Sequence, residues 1–441
     1  MVLRSRRVVI RNEVRPACIA FESGRILAIE EYSNVPKAGE FIDAGDSYVL
    51  PGLVDTHVHV NEPGRSEWEG FQTATRAAAA GGVTALVDMP LNAIPATTSP
   101  EALAQKREAA RGACCVDYAF WGGVVPGNED QLLPLAEAGV RGFKCFLVDS
   151  GVPEFPMVTE EHLARAMPLI AKTGLPLLVH AEFPELLRAA PGSRRYQDYV
   201  RSRPPGSEVA AVRLMIRLCR AHHCRVHIVH LSSAEALADI RRARAEGLPF
   251  TVETCPHYLY FAAESIPDGA TQHKCAPPIR DAANRELLWK ALADREIDLL
   301  ATDHSPCPPE LKLAESGDFM RAWGGIASLS VALSAAWTMA SARGFSIVDI
   351  VRWMSQAPAQ SAGFELRKGS IAPGYDADLV VFNPGAEFEV HAEDLHFRHP
   401  VSPYLGERLK GRVSMTFVRG RLAFANGAFP NHPFGEECCV E

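Results

Sequence analysis

From residue 51 to residue 370 the chain repeats one unit: a short apolar run, then a longer stretch with helical spacing. The apolar runs fall at 53–58, 83–88, 116–121, 142–147, 176–180, 226–230, 250–254 and 298–303. Most are rich in Val, Ile, Leu or Phe, as strands buried on both faces of a parallel sheet should be. Helical stretches lie between them at 68–80, 101–111, 160–172, 208–222, 234–246 and 284–295. Eight such units predict a closed (β/α)8 TIM-like barrel. An open, doubly wound sheet is the competing architecture, but the chain has no GxGxxG turn to support it.

The two ends read differently. Residues 1–50 hold short strand-like runs at 7–11, 17–21, 25–30 and 48–50, separated by Gly, Asn and Pro. Similar runs return at 379–382, 413–418 and 421–424, with turns at Asn383-Pro384 and Arg419-Gly420. The α/β pattern therefore predicts a barrel over 51–370. A small β-sandwich domain is expected from both chain ends, 1–50 and 371–441.

Charge and composition narrow the partners. A formal net charge of −8 over 441 residues argues against a nucleic-acid partner. No uncharged apolar run is long enough to span a membrane. The N-terminus is basic but lacks the apolar core of a secretory signal. The expected location is the cytoplasm. Eleven cysteines with no zinc-finger or thioredoxin spacing read as free thiols in a reducing compartment. Cys438-Cys439, near an expected exposed terminus, is the pair open to oxidation.

The chemistry gathers at strand ends, where a barrel places catalytic groups. The first run ends Asp55-Thr56-His57-Val58-His59, and residues i and i+2 share a strand face. The fourth carries Lys144, the fifth ends in His180, the sixth in His230 and the eighth in Asp303. Each alone has an ordinary structural explanation. Together, four histidines and one aspartate suit a pair of divalent ions, Zn²⁺ first, with Co²⁺, Ni²⁺ or Mn²⁺ as alternatives. A lysine on a buried strand is costly as an ammonium. CO₂ would convert it to an anionic carbamate, N6-carboxylysine, that could bridge two ions. Two metals suggest hydrolysis through an activated water. Asp303 is the candidate general acid and base.

Several segments then carry a resemblance. They are 51–64 (PGLVDTHVHVNEPG), 88–92 (DMPLN), 142–146 (GFKCF), 230–233 (HLSS), 253–259 (ETCPHYL), 274–280 (KCAPPIR), 302–307 (TDHSPC) and 373–380 (PGYDADLV). Along essentially its whole length the sequence resembles the cyclic amidohydrolase branch of the amidohydrolase superfamily, and within it the allantoin-hydrolysing group. The resemblance implies that His57 and His59, with Asp303, hold the more buried metal. It implies that His180 and His230 hold the second, and that carboxylated Lys144 bridges them. Asn61, Asn92, Cys275, Pro277 and Gly325 are the implied substrate contacts.

The substrate follows from two differences. Dihydroorotases read His-x-His-x-Arg, the arginine gripping a carboxylate. Here Asn61 takes that place, and a neutral amide can bond a ureide without forming an ion pair. Hydantoinases and dihydropyrimidinases usually place a tyrosine after the strand-four lysine, and none occurs from 143 to 195. The implied reaction is allantoin plus water giving allantoate. Another cyclic amide, or a non-catalytic scaffold role, is the alternative, although the scaffold relatives typically lose metal ligands. Nucleobase deaminases share the HxH start but lack the lysine. One departure stands out. Ala327-Ser328-Leu329-Ser330 replaces the Ala-Gly-Leu-Gln common in the group. A homotetramer or dimer is the implied assembly.

Overall fold

A computed structural model describes residues 1–34 and 40–438. Its centre is a ring of parallel strands. These are β1 (Leu53–Val58), β2 (Val83–Asp88), β3 (Asp117–Phe120, continued by Gly122–Gly123), β4 (Phe143–Phe146), β5 (Leu177–His180), β6 (Val226–Ile228), β7 (Phe250–Thr254) and β8 (Leu299–Leu300). Each pairs in parallel with the next. The third strand changes partner midway: residues 117–120 pair with β2, and Gly122 and Gly123 pair with β4. A bridge between Val58 and His304 joins the eighth strand to the first and closes the ring.

Inside the ring, Val54, Ala85, Ala119, Trp121, Leu178 and Val229 form one buried cluster. These are the inward-facing layers that fill a barrel rather than leave a pore. Trp121 donates its indole N–H to the Thr56 carbonyl across the interior, at 2.8 Å. Outside, helices such as Glu160–Thr173, Pro205–His222 and Ala282–Ala293 cover the sheet.

Two of the expected elements that fall short have a plain backbone cause. The helix expected from residue 68 begins at Phe71, because Gly70 sits at φ 97°, outside helical geometry. The run at 298–303 is hydrogen-bonded as a strand only at Leu299–Leu300, and Asp303 turns to φ 47°.

Both chain ends share one further sheet. Its order runs Arg421–Ala425, Arg408–Val418, Leu379–Glu389, Tyr48–Pro51, Val2–Ile10, Glu13–Glu22, Arg25–Glu30, with Phe41–Asp43 beside Val2–Ile10. Phe21 and Phe417 lie on strands four places apart, about 19 Å in a flat sheet at ~4.8 Å per strand. Their rings are 6.1 Å apart. The sheet therefore folds back on itself, enclosing Leu3, Ile19, Ile26, Val49, Leu379 and Phe417.

The described cysteines are free thiols. Cys438 does not sit in an exposed tail. Its amide bonds the Tyr118 carbonyl at 2.7 Å, and burial pushes its thiol up to about 12. Cys439 lies outside the described residues. No helix among those described is long and apolar enough to cross a membrane.

Candidate metal centre and cleft

The C-terminal ends of the strands converge on one buried cluster. His57 Nε2 lies 3.2 Å from Asp303 Oδ1, and His59 Nε2 lies 3.4 Å from the same oxygen. Candidate ligand atoms of His57, His230 and Asp303 all fall within 4.8 Å of one another. The His230 ring centroid is 5.3 Å from that of His57 and 4.6 Å from that of His180. Strands β1, β5, β6 and β8 thus bring His57, His59, His180, His230 and Asp303 to one place. Lys144, on β4, is buried beside them, with its Nζ 5.0 Å from the centre of the Phe146 ring.

The backbone is bent to achieve this. His230 and Asp303 adopt φ 39° and 47°, and Asn61 and Asn92 adopt 67° and 66°. Left-handed conformations at non-glycine residues cost roughly 1–2 kcal/mol each and cluster where a site needs them.

The cluster fits divalent cations by a direct test: its buried polar atoms lack protein partners. Lys144 Nζ, His59 Nδ1 and His230 Nδ1 have no hydrogen-bond partner. Burial pushes His59 down to about 4 and His180 and His230 below the ordinary histidine value, so all three are neutral near pH 7. Neutral imidazole is the form that ligates metal. Burial alone would raise Asp303, but His57 and His59 outweigh it and hold it at about 2, ionised. Burial lowers Lys144 to about 8, so its neutral amine is within reach near physiological pH.

Two buried carboxylates orient the imidazoles. Glu253 on β7 meets His57 Nδ1 at 2.5 Å and His227 Nε2 at 3.0 Å, and accepts the His230 backbone N–H at 3.3 Å. That leaves His57 Nε2 facing Asp303. Glu182 meets His180 Nε2 at 2.7 Å and is gripped by Arg203 through two bonds of 2.9 and 2.5 Å. His180 therefore presents Nδ1. The two histidines are fixed in opposite tautomers, a common task for groups behind a metal ligand.

Above the cluster opens a cleft of about 640 Å³. His57, His59, His180, His230 and Asp303 form its floor, and Asn92, Phe146, Arg203, Lys274 and residues 320–325 its walls.

Comparison with known proteins adds the family. Residues 48–423 match the amidohydrolase family model. The chain belongs to the amidohydrolase family. It is 50% identical to the allantoinase of Streptomyces avermitilis over 97% of this chain and 96% of that protein. It is 45% identical to the allantoinase of Arabidopsis thaliana over 96% and 88%. Among solved structures, the L-hydantoinase (dihydropyrimidinase) of Arthrobacter aurescens superposes with a TM-score of 0.94 at 29% identity, covering 100% and 99% of the two chains. Amidohydrolases are metal-dependent, and this one is a hydrolase of cyclic amides with a barrel and an attached β-sandwich domain.

The sequence-derived substrate contacts of this amidohydrolase separate in space. Asn92 and Gly325 line the cleft, and Asn92 Oδ1 has no partner. Asn61, Cys275 and Pro277 lie behind it. Asn61 donates to the Pro306 carbonyl at 3.3 Å, and the carbonyls of Cys275 and Pro277 accept from the hydroxyls of Tyr199 and Tyr258. His304 points away from the cluster and accepts the Ser328 amide at 3.1 Å. The Ser328–Ser330 departure thus packs behind Asp303 rather than into the cleft.

Sequence reasoning gave no role to Glu253, Glu182 or Arg203. Glu253 stood in a quoted motif, and strand alternation could have placed it inward from Phe250 on β7. Glu182 and Arg203 come from separate segments and only the fold joins them.

Proposed function

We propose that this amidohydrolase is an allantoinase: it adds water across a ring C–N bond of allantoin and releases allantoate. The observation that carries the reading is the buried cluster of four histidines, Asp303 and an amine without a hydrogen-bond partner, beneath a cleft whose wall offers the neutral Asn92. Near-full-length identity to allantoinases supports the substrate. The cleft wall also has phenylalanine at residue 146 in the region where hydantoinases usually carry a tyrosine. A neutral amide suits a ureide that carries no carboxylate.

In this reading His57, His59 and Asp303 would hold one divalent ion, and His180 and His230 would hold a second. Zn²⁺ is the proposed metal, and carboxylated Lys144 is the proposed bridge. The ions would supply a water acidified near neutral pH and polarisation of the ring carbonyl. The chain's own residues do the rest. Asp303, ionised and on the cleft floor, takes a proton from the attacking water and delivers it to the departing ring nitrogen. Without that proton the nitrogen would leave as an unstable anion. Asn92 and Gly325 flank the ring. Glu253 and Glu182 keep the imidazoles from turning. The cytoplasm and a homotetramer or dimer are the proposed setting.

The test is ring opening by protein loaded with zinc in bicarbonate. Allantoin, dihydroorotate and hydantoin run in parallel, with Asp303→Asn as control. Selective turnover of allantoin that is lost in the control is expected. Preference for dihydroorotate would overturn the substrate assignment.

A further inference from the structure

Residues 320–325 form one wall of the cleft, and all six line it. None belongs to a helix or strand, so their carbonyls have no ladder to join. The structure supplies a substitute. Lys274 Nζ donates to the carbonyls of Met320 at 3.1 Å and Ala322 at 2.6 Å. Lys312 Nζ donates to the carbonyls of Trp323, at 3.1 Å, and Gly325. Both side chains are buried, and neither forms an ion pair among the described residues.

A buried ammonium without a carboxylate is expensive, and an apolar side chain would fill the same space at less cost. What the lysine amine adds is direction, through N–H donors aimed at the carbonyls. Two lysine amines draw four carbonyls of one six-residue segment to themselves. Backbone bonds finish the anchorage: Gly325 N–H to the Lys274 carbonyl at 2.8 Å, and Trp323 N–H to the Leu311 carbonyl at 2.8 Å. Lys274 reaches the segment from the 274–280 motif and Lys312 from the turn Pro309–Lys312. The wall is thereby pinned from two separate parts of the chain.

We infer that Lys274 and Lys312 are positioning residues, which hold the wall at 320–325 in the shape that receives the substrate ring. Neither need touch the reacting atoms. This rests on the allantoinase reading only for the identity of the substrate. The wall itself can be tested without one.

Lys274→Met and Lys312→Met would be compared with wild type by amide hydrogen exchange on metal-free protein, then by zinc content and steady-state kinetics with allantoin. Exchange at 320–325 is expected to rise about tenfold or more while the barrel strands keep their protection. KM should rise about tenfold with kcat falling less, and zinc content should be unchanged. Lys274→Gln and Lys312→Gln keep an N–H donor and should restore part of both. They also carry the same readouts if a Met variant does not fold. Unchanged exchange at 320–325 would overturn the inference. So would a loosened wall with unchanged KM. If the wild type opens another ring instead, the KM is read on that ring and the exchange result stands.

Discussion

Replacing Glu253 by Gln should weaken metal binding more than it weakens the fold. Glu253 is fully buried and serves three groups at once: His57 at 2.5 Å, His227 at 3.0 Å and the His230 amide at 3.3 Å. Gln is nearly the same size, so packing survives. One oxygen remains for His57, while the new NH2 can face His227. That ring can adapt by donating through Nδ1 to Thr251 Oγ1, 2.8 Å away. What is lost is charge. A hydrogen bond to a charged group contributes about 1.5–3 kcal/mol, against about 0.5–1.5 for a neutral one. The deficit at His57 is therefore of order 1–2 kcal/mol. Carboxylates behind metal-bound histidines typically change affinity about 10–100-fold, or ~1.4–2.7 kcal/mol, in the same range. Zinc affinity by chelator competition should fall by that factor, most for the ion assigned to His57, His59 and Asp303. The melting temperature of the metal-free protein should move little, since two of the three contacts can re-form. An affinity within twofold of wild type at both sites would refute the reasoning.

Other consequences can be checked in the same way. Asp303→Asn should lower kcat by about 10²–10⁴-fold with allantoin while the circular dichroism spectrum is kept. Carboxylation of Lys144 needs the neutral amine, and burial lowers this lysine to about 8. With dissolved CO₂ held at a fixed concentration and zinc in excess, the rate at which metal-free protein becomes active should therefore climb from pH 6 and level off above about pH 8. A rise continuing to pH 10, as for an ordinary lysine near ~10.4, would show that the amine is not perturbed. At Gly435 an added Cβ would lie 1.9 Å from the Val116 carbonyl oxygen. Gly435→Ala should cost about 1–3 kcal/mol and free the C-terminal segment to limited proteolysis.

Much of this protein can be read from the order of its residues. The barrel strands fall on the apolar runs, apart from the Gly122–Gly123 continuation of β3, because strands covered on both faces are mostly apolar. The His57/His59 pair, Lys144, His180, His230 and Asp303 stand out because alternation and strand ends are local properties. Other features are not local. Asn61 and Asn92 share a side-chain type, yet one is tied to Pro306 behind the cleft and the other opens into it. That difference depends on where two loops cross. Glu253 reaches His57 and His230 from a third strand, and Glu182 needs Arg203 to hold it. The tautomers of His57 and His180 follow from those contacts. The left-handed backbones of His230 and Asp303 persist only because surrounding packing outweighs their cost. The chain's pattern determined the barrel and the ring of candidate ligands by local periodicity. Which nitrogen each candidate ligand presents, and which polar groups line the cleft, depended on contacts between distant segments and was decided only in three dimensions.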